Sequence, residues 1–121
     1  MSFPNIQYKI TQVEIEPAIK ALVEQKFSSL SKFIGNETDV KCEVEFEKVA
    51  PKNNGEVHRF ETNLWISGTL YRAESTEESF EKAIDVVRNE LDKEIRRSRT
   101  KRESLFRKGG RKIKNMMRFG K

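Results

Sequence analysis

Alternation of apolar and polar side chains predicts four β-strands before residue 75. The clearest covers residues 40–47, where Val, Cys, Val and Phe alternate with Lys and three Glu. A period of two turns one face of a strand toward a core and the other toward water. Residues 5–10, 60–66 and 69–74 show the same pattern. A polar loop at 51–56 and the small residues Ser67-Gly68 supply turns between the later strands.

Two amphipathic helices are predicted from apolar positions that recur at steps of three and four. The first begins at Pro17, whose missing N–H suits a first turn, and ends at a glycine cap, Gly35. The second is predicted to open with a capping box formed by Ser75 and Glu78. Its apolar stripe stops at Ile95, and we expect the helix to continue beyond it as a charged extension.

The element order is therefore β-α-β-β-β-α, which predicts a two-layer α+β sandwich. Four strands form one sheet, two helices pack on one of its faces, and the other face is solvated. Residues 1–103 are expected to form this single domain. Residues 104–121 are expected to form a basic C-terminal tail that stays disordered until it is bound.

The distribution of charge points to a polyanionic partner. The 121 residues carry a net charge of +5, but residues 1–95 hold 12 Lys and Arg against 18 Asp and Glu, a net −6. Residues 96–121 hold 12 against one, a net +11. Such a segment repels itself unless a polyanion neutralises it. Nucleic acid is the expected polyanion, and a membrane surface is the weaker alternative because the tail is sparse in Leu, Phe and Trp.

Enzyme chemistry is not indicated by the residues present. Cys42 and His58 are the only cysteine and the only histidine, and their spacing does not suit a metal site. The glutamates at 43, 45 and 47 are interpreted as solubilising residues on the water-facing side of a strand. With no nucleophile motif or phosphate-cradling glycine loop, we predict a non-enzymatic binding protein without catalytic residues, metal, cofactor or small-molecule substrate. The single cysteine and the lack of a membrane-spanning apolar run favour the cytoplasm.

Basic side chains on both predicted helices suggest where the partner binds. They lie off the apolar stripes, so helices packed side by side would present them on one outer surface. That surface suits the phosphates of an RNA backbone and predicts binding that weakens with salt and has little sequence preference. The residues are Lys20, Lys26 and Lys32 on the first helix and Arg88, Lys93, Arg96, Arg97, Arg99, Lys101 and Arg102 on the second.

Four stretches between residues 5 and 102 carry a pattern known from other proteins. They are residues 5–20, then Lys26-Phe27-Ser28-Ser29-Leu30, then Phe46-Glu47-Lys48-Val49, and finally Leu70-Tyr71-Arg72-Ala73-Glu74 through Ala83-Ile84-Asp85 to Arg96-Arg97-Ser98-Arg99. In order and spacing they resemble the family of ribosome hibernation promoting factors and ribosome-associated inhibitors. Family members share the β-α-β-β-β-α order that the alternation patterns predict.

The resemblance implies a protein that binds the small ribosomal subunit and its rRNA at the decoding region. It would compete there with mRNA and with the A-site and P-site tRNAs, and would keep stored ribosomes inactive. The family pattern also adds an arginine, in an Arg-Ala-Glu motif, to the expected RNA-binding residues. The complete set is Lys20, Lys26, Arg72, Arg88, Lys93, Arg96, Arg97, Arg99, Lys101 and Arg102.

The chain departs from the family pattern, and other functions are compatible with its sequence. Ser79-Phe80-Glu81 stands where the family commonly has Asp-Met-Tyr, so a contact made by that tyrosine is not inferred. The chain lacks the C-terminal domain through which long members pair two ribosomes, and we therefore expect a short form. A generic double-stranded RNA-binding protein or RNA chaperone is the main alternative function. A protein–protein adaptor whose basic tail docks on acidic partners is another.

Overall fold

A four-stranded sheet forms one layer of the structure. The computed structural model describes residues 3–51, 55 and 57–107, with side chains as far as Lys101. The strands pair in chain order, the first two parallel and the others antiparallel. In that order they are Ile6–Thr11 (β1), Val40–Lys48 (β2), His58–Ile66 (β3) and Thr69–Glu77 (β4).

Helices cover one face of this sheet, and the first of them differs from the prediction. It begins with Pro17 in its first turn as expected, but the α-helix α1 covers only Pro17–Phe27. The chain continues as a tighter 3₁₀ helix, Ser28–Phe33, which we call the 3₁₀ segment. Three serine hydroxyls of this segment donate to carbonyls three residues earlier, and such bonds compete with the regular α-helical pattern. Gly35, at φ +57°, ends the helical stretch as predicted.

The second helix, α2, spans Phe80–Arg107 and starts later than the sequence suggested. Ser75 pairs with β3 as part of strand β4, so the predicted capping box of Ser75 and Glu78 is wrong. The cap is formed by Ser79, whose Oγ accepts a hydrogen bond of 3.2 Å from the backbone N–H of Lys82. The helix passes the predicted domain boundary at residue 103, while residues 108–121 of the predicted tail lie outside the described residues.

Removal of this cap should destabilise the domain. We expect Ser79→Ala to lower the free energy of unfolding by about 1 kcal/mol, the usual effect of a lost N-cap. Ser75→Ala is the matched control, because it removes only a hydroxyl that donates to Glu77 within β4. Urea denaturation followed by circular dichroism measures both variants. A larger loss for Ser75→Ala than for Ser79→Ala would contradict the cap assignment.

The core lies between the sheet and the helices, as the two-layer prediction requires. Aromatic rings fill its centre: the Phe46 ring centroid is 4.9 Å from that of Phe60 and 5.2 Å from that of Phe80. Cys42 is completely buried beside them, and burial raises the pKa of its thiol to about 12, so it acts as a packing residue. The whole predicted stripe of α2 is buried: Phe80, Ala83, Ile84, Val87, Leu91 and Ile95.

Strand β1 is less buried than its alternation suggested. Ile6 and Tyr8 are half-buried against the core, but Ile10 is exposed. β1 is an edge strand with a single neighbour, β2, so fewer side chains cover it than cover the central strands. Within the described residues, no helix is both long enough and apolar enough to cross a bilayer.

Candidate nucleic-acid interface

Polar contacts within the helical layer hold α1 and the 3₁₀ segment beside α2. Where α1 ends and the 3₁₀ segment begins, Lys26 Nζ lies 3.0 Å from Asp85 Oδ1, and Arg88 Nε donates to Ser29 Oγ at 2.8 Å. The helices therefore lie side by side, as predicted from the sequence, and their outer sides form one continuous surface. We call it the helix surface.

Three arginines of α2 face the 3₁₀ segment and form what we call the inner row: Arg88, Arg96 and Arg99. The guanidinium carbons of Arg96 and Arg99 lie 5.2 and 5.5 Å from the ring centroid of Phe33, within cation–π range. Arg99 also donates to the backbone carbonyl of Phe33, and Arg96 Nε lies 2.5 Å from Asp92 Oδ1. The inner row therefore helps to hold the two helices together in addition to carrying charge.

Three further cations follow each other at steps of four residues and form the outer row: Lys93, Arg97 and Lys101. Side chains spaced in this way lie on the same side of a helix. The side chains of Lys93 and Arg97 are 65% and 66% exposed, and among the described side chains they pair within α2, with Glu90 at 3.9 Å and Glu94 at 2.7 Å. Exposed pairs of this kind contribute little to stability, so a phosphate can replace the carboxylate at low cost.

Lysines on α1 and the 3₁₀ segment extend the helix surface. Lys26 and Lys32 lie on the side of α2, because Lys26 pairs with Asp85 and Lys32 Nζ is 4.0 Å from Asp92 Oδ2. Lys20 lies on the other side of α1, where its Nζ is 5.1 Å from the ring centroid of Tyr8 in β1. The lysines thus widen the cationic surface rather than prolong it.

Comparison with known proteins identifies the family of this chain. Residues 5–103 match the family described as Sigma 54 modulation protein / S30EA ribosomal protein. The chain belongs to this S30EA family. The ribosome hibernation promotion factor of Bacillus subtilis (strain 168) is 26% identical over 106 residues, which are 88% of this chain and 54% of that protein. The chain therefore spans about half the length of this relative.

Solved structures support the assignment to the S30EA family. The Protein Y N-terminal domain of Thermus thermophilus aligns with a TM-score of 0.63 at 26% identity, covering 78% of this chain and 98% of that one. A ribosomal subunit interface protein from Coxiella burnetii aligns with a TM-score of 0.61 at 19% identity, covering 78% and 97%. At that lower identity the likeness shows the fold alone. The family resemblance predicted from the sequence is confirmed.

One residue that the S30EA pattern added to the RNA-binding set does not join the helix surface. Arg72 extends from β4 on the opposite sheet face, because its neighbour Tyr71 is buried in the core and successive strand residues point to opposite sides. There Arg72 Nε donates to Glu61 Oε2 at 2.6 Å. Arg102 belongs to α2, and its side chain lies outside the described part of the structure. The other residues of the set lie on α1 or α2.

The open face of the sheet carries an ion-pair network in place of the solvated glutamates that the sequence suggested. Arg59 is at its centre, with a side chain only 18% exposed. Burial opposes the charge of Arg59, but hydrogen bonds to Glu61 and Glu74 outweigh that effect and raise its pKa. Arg59 contacts carboxylates from three strands: Glu45, Glu47, Glu61 and Glu74. These glutamates join three strands through one arginine, an arrangement that the alternation within a single strand does not show.

The buried carboxylate of this network, Glu61, should make the stability of the fold depend on pH. Burial by itself raises the pKa of Glu61, but hydrogen bonds and charge from Arg72 and Arg59 outweigh it and hold the pKa below its usual value. The ionised form therefore stabilises the fold at neutral pH, and this stabilisation is lost as the pH falls through the lowered pKa. We expect Glu61→Gln to lower the free energy of unfolding at pH 7 by about 2 kcal/mol, and by less below about pH 4.

Urea denaturation at neutral and acidic pH measures this effect. Glu43→Gln is the control, because Glu43 lies on the same sheet face but pairs with the exposed Lys41 at 3.1 Å. It should change stability little at either pH. A loss for Glu61→Gln that is equally large in acid would contradict the role of the ionised carboxylate.

Proposed function

We propose that this S30EA-family chain binds the small ribosomal subunit through its helix surface and thereby inhibits translation. The observation that carries the proposal is the joint cationic surface of α1, the 3₁₀ segment and α2. Among the described side chains, Lys93 and Arg97 of its outer row are exposed and pair with carboxylates of their own helix. A ribosomal partner is supported by the family match and by the name of the Bacillus subtilis relative, a ribosome hibernation promotion factor.

Phosphate neutralisation supplies the binding energy in this proposal. Each cation of the helix surface that meets an rRNA phosphate releases condensed counterions, so affinity falls steeply as salt rises. The docked position is the decoding region, where the protein excludes mRNA and tRNA from their binding sites. Inhibition is then steric and requires no catalytic residue. Residues 104–121, proposed as a basic tail, would add further phosphate contacts.

Generic binding of double-stranded RNA is the second candidate function. It is favoured by the chemistry of the helix surface, whose described cations are lysines and arginines suited to backbone phosphates, which specify no sequence. Double-stranded RNA is recognised largely by shape and backbone, and the same side chains could serve that purpose. The two candidates differ in whether small subunits are preferred to other structured RNA.

A translation extract tests the proposal and separates the two candidates. We expect purified protein to reduce synthesis and to co-sediment with small subunits at low salt, and high salt to release it. A molar excess of unrelated duplex RNA should displace little of the bound protein. Unchanged synthesis without co-sedimentation would contradict the proposed function, and complete displacement by duplex RNA would favour the generic binder.

A further inference from the structure

A cleft of about 440 Å³ lies where the 3₁₀ segment ends against α2. Residues 32–37 form one wall and Arg99 the other. The lining is more polar than apolar, and the positive φ of Gly35 turns the backbone around its rim. The cleft belongs to the helix surface, but none of the family-derived expectations assigns it a ligand.

Three cations surround one aromatic ring of the cleft lining: Lys32 and Arg99 line the cleft themselves, and Arg96 lies beside it at the same ring. Lys32 Nζ and the guanidinium carbons of Arg96 and Arg99 lie 5.4, 5.2 and 5.5 Å from the ring centroid of Phe33. We call these four residues the Phe33 cluster. All three charges lie within 5.5 Å of one ring centroid, so they are close enough to repel one another.

The cluster has few anions to offset this repulsion. Asp92, with a side chain 15% exposed, is contacted by Lys32 at 4.0 Å and by Arg96 at 2.5 Å, and Arg88 approaches it to 3.8 Å. A single carboxylate therefore offsets the charge of three cations only in part. Glu37 also lines the cleft and accepts a hydrogen bond from Ser67, so it is a second carboxylate beside the cluster. Among the described side chains, Arg99 donates to a carbonyl and pairs with no carboxylate.

From this excess of positive charge we propose that the cleft of the Phe33 cluster binds a phosphate group, held between Lys32, Arg96 and Arg99. A phosphate offers several acceptor oxygens, which match the forked donors of arginine and the point charge of lysine. It also adds negative charge where, among the described side chains, the three cluster cations and Arg88 meet the carboxylates of Asp92 and Glu37 alone. The inference rests on the proposed function insofar as the phosphate is a backbone phosphate of RNA. A free nucleotide or inorganic phosphate offers the same chemistry.

Titrations followed by amide chemical shifts test this site with three probes: inorganic phosphate, adenosine monophosphate and a short single-stranded RNA. We expect each bound probe to shift the amides of residues 32–37. Lys32→Gln should weaken RNA binding severalfold and reduce the salt slope by about 0.7, the contribution of one single-strand phosphate. Lys9→Gln on β1 removes an equally charged exposed lysine and should leave both quantities unchanged.

The probes distinguish the source of the phosphate. A shift of residues 32–37 with RNA alone assigns a backbone phosphate, and shifts with all three probes assign a general phosphate site. No shift in this cleft with any probe would overturn the inference, as would equal losses for Lys32→Gln and Lys9→Gln. The proposed function is tested separately by co-sedimentation with small subunits, which can persist when the cleft is empty and can fail when the cleft binds phosphate.

Discussion

Reversing the outer row, in the triple variant Lys93→Glu, Arg97→Glu and Lys101→Glu, should release the protein from small ribosomal subunits. Each reversed side chain loses its counterion release and then repels the phosphate it faced. We expect affinity at low salt to fall by about 100-fold, which corresponds to roughly 3 kcal/mol. The ion pairs of Lys93 and Arg97 stay within α2, so the fold should persist. Co-sedimentation across a range of protein concentrations measures the change.

A matched variant shows whether the loss of affinity depends on the position of the cations or only on the net charge of the protein. Lys9→Glu, Lys41→Glu and Lys48→Glu change the net charge by the same amount, but these lysines lie on β1 and β2. That variant should keep its affinity within about threefold, because long-range charge has only a small screened effect. Equal losses in the two triple variants would mean that binding follows net charge and does not use the helix surface.

Truncating the central core residue should have the largest effect on stability. Phe46 is completely buried, and its ring lies 4.9 Å from Phe60 of β3, 5.2 Å from Phe80 of α2 and 6.3 Å from Tyr8 of β1. We expect Phe46→Ala to lower the free energy of unfolding by about 4 kcal/mol, through lost burial and the cavity left behind. This is a large part of the total stability of a typical small domain. Denaturant titration measures it.

Leu70→Ala is the control for the core truncation. Leu70 is 48% exposed on β4, so its truncation should change stability by no more than about 0.5 kcal/mol. Both variants should also be tested for co-sedimentation under conditions in which they remain folded. If Phe46→Ala were as stable as Leu70→Ala, the sheet and helices would not share the core described above.

Where the spacing of apolar residues was regular, the sequence predicted the structure well. The strict alternation in β2 fixes its buried face, and the stripe of α2 is buried at every predicted position. Local hydrogen bonding explains the errors. The serines of the 3₁₀ segment do not alter the apolar spacing, so the change from α-helix to 3₁₀ helix was not visible. Ser75 met the pattern of a helix cap, but pairing with β3 extended the strand through it.

The candidate site was predicted in part, because charge can be counted from a sequence but partners in space cannot. The helix cations were identified by their position off the apolar stripes. Arg72 entered the set through the family pattern, although strand parity places it on the open sheet face beside Glu61. The apolar spacing of the first helix marks Phe33 as a core position, yet three cations also lie within cation–π range of its ring. The repeat of Arg88, Asp92 and Arg96 at four-residue steps was a sequence signal only for the carboxylate that these two arginines share.

A structural reconstruction of the protein on small ribosomal subunits at low salt tests the central claim most directly. We expect the helix surface to face rRNA at the decoding region, with the outer row at backbone phosphates and the ion-pair network of Arg59 turned away. Density that placed the open sheet face against rRNA, or that placed the protein away from the mRNA and tRNA sites, would contradict the proposed mode of inhibition.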